Sequence, residues 1–176
     1  MKYISVLLTL VCLLFSQLLL ADDSSVEYKI KAGYLYNFTK FITWKLDDAK
    51  AFNVCIVGDD PFGEIIDPIK DRPGPESLPI NLFRYKSLES IDNEPHCHIL
   101  FVSSSIKGTL ADRNIENTLV VGESEEFIKQ GGMIPFVNRQ SKIKLQCNLE
   151  RIKKSGLKIS AKLIEVCEVV KGDPNG

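Results

Sequence analysis

The chain has 176 residues, of which 44% are hydrophobic and 26% are charged, and its formal net charge is −1. This length fits a single domain, and this share of apolar residues excludes a disordered chain. A near-neutral charge argues against nucleic acid or an anionic membrane surface as the main partner.

The first 21 residues have the pattern of a secretory signal peptide. Lys2 precedes an uncharged apolar run over residues 4–20, and Ala21 supplies a small residue where cleavage would occur. This run is at the short end for a membrane span of about 20 residues, and no later segment has a stop-transfer pattern. We therefore expect export after loss of residues 1–21, a single domain over residues 22–176, and no direct membrane insertion.

Helical and strand patterns alternate along the exported part. Hydrophobic residues repeat at helical spacing from Val26 to about Trp44, which predicts a long first helix. Apolar or alternating runs predict strands at 52–57, 80–85, 97–102, 118–121, 133–137 and 142–147. Capping residues and turn signals predict shorter helices at 60–70, 124–129, 148–154 and from Ser160 to near the end.

This element order is typical of an α/β protein. We expect a single-domain three-layer sandwich, because strands alternate with helices. Its mixed sheet should be parallel at the centre and should end in a C-terminal antiparallel hairpin around residues 138–141.

The exported part contains four cysteines: Cys55, Cys97, Cys147 and Cys167. An even number in an exported chain suggests two disulfides, with three possible pairings. Cys147 lies on the buried face of an alternating strand, and Cys167 lies on the apolar stripe of the predicted C-terminal helix, so these two can face one core and pair. Cys55 and Cys97 each lie in a run typical of a central strand and can also pair. Alternatively, some of the four are free buried thiols.

No motif indicates catalysis or a cofactor. The chain has no G-x-S-x-G elbow and no Ser or Cys with a recognisable His and Asp arrangement, so we expect no catalytic residues. The turn over residues 58–63 follows a strand, but Asp59 and Asp60 would repel a phosphate, which favours a simple capped turn. His96 and His98 share one strand face and could contribute to a metal site, but two ligands do not complete one, so we expect no metal.

One surface stands out as a candidate for binding a partner or ligand. Tyr36, Asn37 and Lys40 lie off the aromatic core stripe of the first helix, and exposed aromatic residues often mark an interface. Gly132, Met133 and Phe136 belong to a Gly-Gly loop and the strand after it. We expect these two segments to form the docking face together.

Five blocks of sequence, in the same order, resemble the YfiR family of small periplasmic proteins. They lie at residues 31–44, 52–63, 97–103, 131–134 and, as the fifth, 148–149 together with 156–163. The resemblance implies an α/β fold, a disulfide between Cys55 and Cys97, homodimers and no catalysis.

The best-known role of that family is to bind the periplasmic sensor part of an inner-membrane diguanylate cyclase and hold it inactive. Envelope or redox stress releases the cyclase, and the rise in cyclic-di-GMP favours biofilm. The resemblance therefore implies a periplasmic, non-enzymatic negative regulator. The alternative is a periplasmic small-ligand-binding module that serves another membrane receptor or kinase, with its pocket near the first helix and the Gly-Gly loop.

Overall fold

The structure is a computed structural model that describes residues 23–91, 95–110, 113 and 115–171. The predicted signal peptide, residues 1–21, lies outside the described residues. The first described element is helix α1 (Asp23–Phe41), and it ends slightly earlier than the sequence pattern predicts. A two-residue strand, β1 (Ile42–Thr43), follows and pairs with β8 (Lys158–Ile159) in a small antiparallel sheet.

The main sheet has seven strands in the order β3-β2-β4-β5-β6-β7-β9. They are β2 (Phe52–Val57), β3 (Ile80–Tyr85), β4 (Ile99–Val102), β5 (Leu119–Glu123), β6 (Ile134–Arg139), β7 (Lys142–Asn148) and β9 (Cys167–Val170). All pairs from β3 to β6 are parallel, and β6 and β7 form the antiparallel hairpin. All six residues of β2 are buried, as the continuous apolar run predicts for a central parallel strand. The predicted fold class is confirmed.

The connections are short helices: α2 (Glu126–Lys129), α3 (Leu149–Lys154), α4 (Ala161–Val166) and 3₁₀ helices at Gly63–Asp71, Pro75–Ser77 and Leu88–Ile91. Two predicted helix caps are confirmed. The side chain of Asn148 accepts a hydrogen bond from the backbone N–H of Arg151 at 3.0 Å. That of Ser160 accepts one from the N–H of Leu163 at 3.3 Å.

Different helices cover the two faces of the sheet. On β5, the Glu123 side chain points toward α1, where it meets Lys31. The preceding residue, Gly122, faces the other side, where a Cβ would come within 2.5 Å of the Phe127 ring on α2. Because successive strand residues point to opposite faces, α1 and α2 lie on opposite sides of the sheet, which gives the three layers.

The C-terminal helix ends earlier than the sequence pattern predicts. It stops at Val166, and the next four residues form β9, which pairs in parallel with β7. The expected helical position of Cys167 is therefore wrong. Three of the five residues from Val166 to Val170 are β-branched, and such residues fit a strand better than a helix.

The buried side of α1 also differs from the prediction. Val26 and Ile30, which helical spacing assigns to the core, are 55% and 45% exposed. The buried side consists instead of Lys31, Ala32, Leu35, Phe38 and Thr39. Large apolar and aromatic residues lie nearly all round this helix, so their spacing does not determine which stripe faces the sheet.

Candidate functional site

Tyr36 lies on the outer half of α1 between two cations. The Nζ atom of Lys40 is 4.6 Å from the centre of the Tyr36 ring, and the guanidinium carbon of Arg72 is 5.0 Å from it. Lys40 and Arg72 are exposed, and among the described residues no salt bridge joins either one to a carboxylate. Two positive charges held at one aromatic ring favour contact with a carboxylate of a partner.

An exposed stripe runs along α1 beside this cluster. Val26, Ile30, Gly33, Asn37 and Lys40 are spaced four and three residues apart, which places them on one side of the helix, and all are exposed. A Cβ at Gly33 would meet nothing within 4 Å, so the space above the stripe is open. We call this stripe, together with Tyr36 and Arg72, the outer α1 face.

The structure brings the predicted residues Tyr36, Asn37 and Lys40 together on this face and adds four that the sequence pattern does not assign to it. Helical spacing assigns Val26 and Ile30 to the core, and nothing in the sequence marks Gly33 as part of a surface. Arg72 follows the 3₁₀ helix Gly63–Asp71, and no local sequence signal connects it with α1.

Gly132, Met133 and Phe136 cannot form an exposed docking surface in this structure, contrary to expectation. Met133 and Phe136 are 1% and 3% exposed, because β6 lies between β5 and β7. A Cβ at Gly132 would come within 2.1 Å of the Phe127 ring, so the glycine allows α2 to pack closely. Phe136 stacks beneath α1 on Phe38, with ring centres 6.3 Å apart. Phe136 therefore supports α1, whereas Gly132 packs against α2 on the other face of the sheet.

A partly buried ionic cluster fixes the N-terminal half of α1 to the sheet. The ammonium of Lys31 bonds to the carboxylate of Glu123 and, at 2.5 Å, to that of Glu27, and the Tyr28 hydroxyl donates to Glu123 at 3.1 Å. Burial alone would lower the pKa of Lys31, but these hydrogen bonds outweigh it and raise that pKa above its ordinary value. Lys31 is therefore charged, and its charge is compensated.

Both disulfides are present. Cys55 on β2 joins Cys97, which precedes β4, with Cα atoms 5.8 Å apart. Cys147 on β7 joins Cys167 on β9, with Cα atoms 5.7 Å apart. Cys55, Cys97 and Cys147 are buried, whereas Cys167 is only half-buried on the edge strand. The second bond is therefore the more accessible to an attacking thiol.

The two histidines lie close together, but their hydrogen bonds disfavour a metal site. Nδ1 of His98 accepts the backbone N–H of Asn53 at 2.9 Å, so the neutral ring carries its proton on Nε2 and cannot coordinate through that atom. Burial and the charge of His96 lower the pKa of His98 to about 4. Among the described residues, no group of three or more potential metal ligands comes together.

A family model described as YfiR/HmsC-like matches residues 28–168, which is most of the chain. No curated protein matches the sequence significantly. Within the described residues, no helix is both long and apolar enough to cross a bilayer.

Proposed function

Because the chain belongs to the YfiR/HmsC-like family, we propose that it is a periplasmic, non-enzymatic regulator of an inner-membrane diguanylate cyclase. It binds the periplasmic sensor region of the cyclase and inhibits it, which keeps cyclic-di-GMP low and restrains biofilm formation. The two disulfides support an oxidising compartment such as the periplasm. A homodimer, as the resemblance implies, is part of this proposal.

The observation that carries the proposal is the outer α1 face. It combines two exposed aliphatic side chains, Val26 and Ile30, with the cationic cluster around Tyr36. Aromatic residues and arginine are enriched where proteins bind one another. The face is also held in place, since Lys31 and Phe38 attach the helix to the sheet beneath it. A preformed surface loses little conformational entropy on docking.

The bond between Cys147 and Cys167 is the best candidate for a redox signal within this function. It fastens β9 to β7, and Cys167 is partly open to solvent. Its reduction would free the C-terminal strand while the buried bond of Cys55 remains closed. In this proposal, loosening of that edge accompanies release of the cyclase.

Complementation of a deletion strain tests the docking face. We expect deletion to raise cyclic-di-GMP severalfold and the wild-type gene to restore it. Ile30→Glu should fail to restore it, because a carboxylate would replace the apolar centre of the face. Val166→Glu is the matched control, since Val166 is 60% exposed on α4 and is not part of the outer α1 face. Both substitutions are at exposed positions and should change stability by no more than about 0.5 kcal/mol.

Cyclic-di-GMP is measured at equal periplasmic amounts of each variant. If deletion leaves cyclic-di-GMP unchanged, the proposed function is wrong. If deletion raises it but the two variants complement equally, the function stands and the outer α1 face is not the docking surface.

A further inference from the structure

A groove lies where β2 and β3 begin, separate from the outer α1 face. Its volume is about 460 Å³, within the range of sites for small molecules. Lining residues include Asn53, Asn81, Phe83, His96 and His98. Asn53 and His98 are 8% and 5% exposed, so two buried polar side chains form part of its wall.

A chain of hydrogen bonds holds these side chains in place. The amide of Asn81 donates to the side-chain oxygen of Asn53 at 3.2 Å, and the amide of Asn53 donates to the backbone oxygen of His96 at 2.8 Å. Nε2 of His96 contacts the backbone oxygen of Asn117 at 3.2 Å and therefore donates to it. Neutral His96 then has an acceptor at Nδ1, while neutral His98 has a donor at Nε2.

The charges around the groove cancel. Two cations, Lys45 and Lys50, and two anions, Asp47 and Asp48, are among its lining residues. Both histidine rings lie with their centres 5.1 Å apart, and His98 stays neutral down to about pH 4. A site with neutral donors and acceptors and no net charge favours a neutral ligand over an anion or a cation.

From this geometry we propose that the groove binds a neutral small molecule rich in hydroxyl and amide groups, of the mono- or disaccharide class. The amide and imidazole groups match hydroxyls, which both donate and accept hydrogen bonds. The half-buried Phe83 ring offers an apolar surface to the carbon face of a sugar ring. This inference goes beyond the proposed function and does not depend on it.

The disulfide of Cys55 makes the groove rigid. Asn53 and Cys55 are alternate residues of β2 and point to the same face of the sheet, and their partners on β3 are Asn81 and Phe83. Cys97 lies between the two histidines, so its bond to Cys55 ties the histidine segment to that face. Binding to such a preformed site costs little ordering of the protein.

Titration calorimetry of the exported, oxidised protein tests the proposal with two neutral probes, maltose and N,N′-diacetylchitobiose, and two charged ones, glutamate and lysine. We expect saturable binding of at least one disaccharide. Asn81→Ala and His96→Ala should each weaken it about tenfold, the effect of one lost hydrogen bond in a partly buried site. Asn138→Ala, at an exposed position of the β6–β7 hairpin, is the matched control and should leave the affinity unchanged.

Three results would overturn the proposal. One is the absence of binding by both disaccharides at up to about 10 mM. Another is disaccharide binding that Asn81→Ala and His96→Ala leave intact, which would place the sugar elsewhere. A third is saturable binding of glutamate or lysine without binding of either sugar, which would assign the groove to charged ligands.

Discussion

Burial of His98 makes the stability of the protein depend on pH. Burial, and the nearby charge of His96, lower the pKa of His98 from 6.5 to about 4. Between these values the unfolded state binds a proton at this residue and the folded state does not. The free energy of unfolding therefore falls as the pH drops from about 6.5 to 4, and this contribution is fully present above pH 6.5.

We predict that His98 accounts for a loss of about 3 kcal/mol in the free energy of unfolding between pH 7 and pH 4. His98→Asn keeps an acceptor for the N–H of Asn53 but cannot titrate in this range, so its stability should fall less steeply. Urea unfolding at several pH values measures the free energy of unfolding of both proteins. Parallel loss of stability in the wild type and in His98→Asn would contradict the prediction.

The sequence predicted the roles of some single residues and not of others. The caps Asn148 and Ser160 follow local chemistry, and both are confirmed. The burial of Lys31 could not be inferred, because it depends on Glu123, which lies 92 residues further along the chain. A lysine in a helix is normally exposed to solvent, and only the folded sheet brings Glu123 close to Lys31.

At the scale of elements, α1 depends on its ionic attachment to β5. We predict that Lys31→Ala lowers the free energy of unfolding by about 3 kcal/mol, because the partly buried carboxylate of Glu123 is left without its cation. The control Lys29→Ala, at an exposed position of the same helix, should cost no more than about 0.5 kcal/mol. Replacing both charges, with Lys31→Met and Glu123→Leu, should recover most of the loss.

Urea unfolding of the four proteins measures these differences. The attachment would have no energetic role if Lys31→Ala and Lys29→Ala were equally stable. A double variant as unstable as Lys31→Ala would show that the site requires the ion pair itself.

Elements with one apolar face were predicted better than those that are apolar on several sides. The hairpin of β6 and β7 was located correctly, because β7 alternates clearly between polar and apolar residues. The segment from Ala161 to Val170 carries apolar residues at both helical and strand spacings, and the pairing with β7 decides where the helix ends. The outward position of Val26 and Ile30 was missed for a related reason, since α1 is apolar on more than one side.

For the whole molecule, the sequence predicted the class of fold but not the neighbours of each strand. Continuous apolar runs such as β2 indicate a buried parallel centre. The order β3-β2-β4 requires the chain to add strands on both sides of β2, and no local pattern specifies this. The groove therefore could not be predicted either, because it joins residues of β2, β3 and the segment before β4.

The two disulfides enclose separate parts of the sheet, and this determines how far the molecule can be stretched. The bonded cysteines are 42 and 20 residues apart in sequence, and neither loop contains the other. In optical tweezers, each intact bond hides its loop from the pulling force, at roughly 3.5 Å per residue. Loss of the Cys147 bond would lengthen the extended chain by about 70 Å, and loss of the Cys55 bond by about 150 Å.

Brief treatment with glutathione before loading should therefore produce mainly molecules that are about 70 Å longer than the oxidised form, because Cys167 is the more accessible cysteine. A population about 150 Å longer would instead identify Cys55–Cys97 as the labile bond. The contour length of a single molecule thus shows which of the two disulfides a mild reductant has broken.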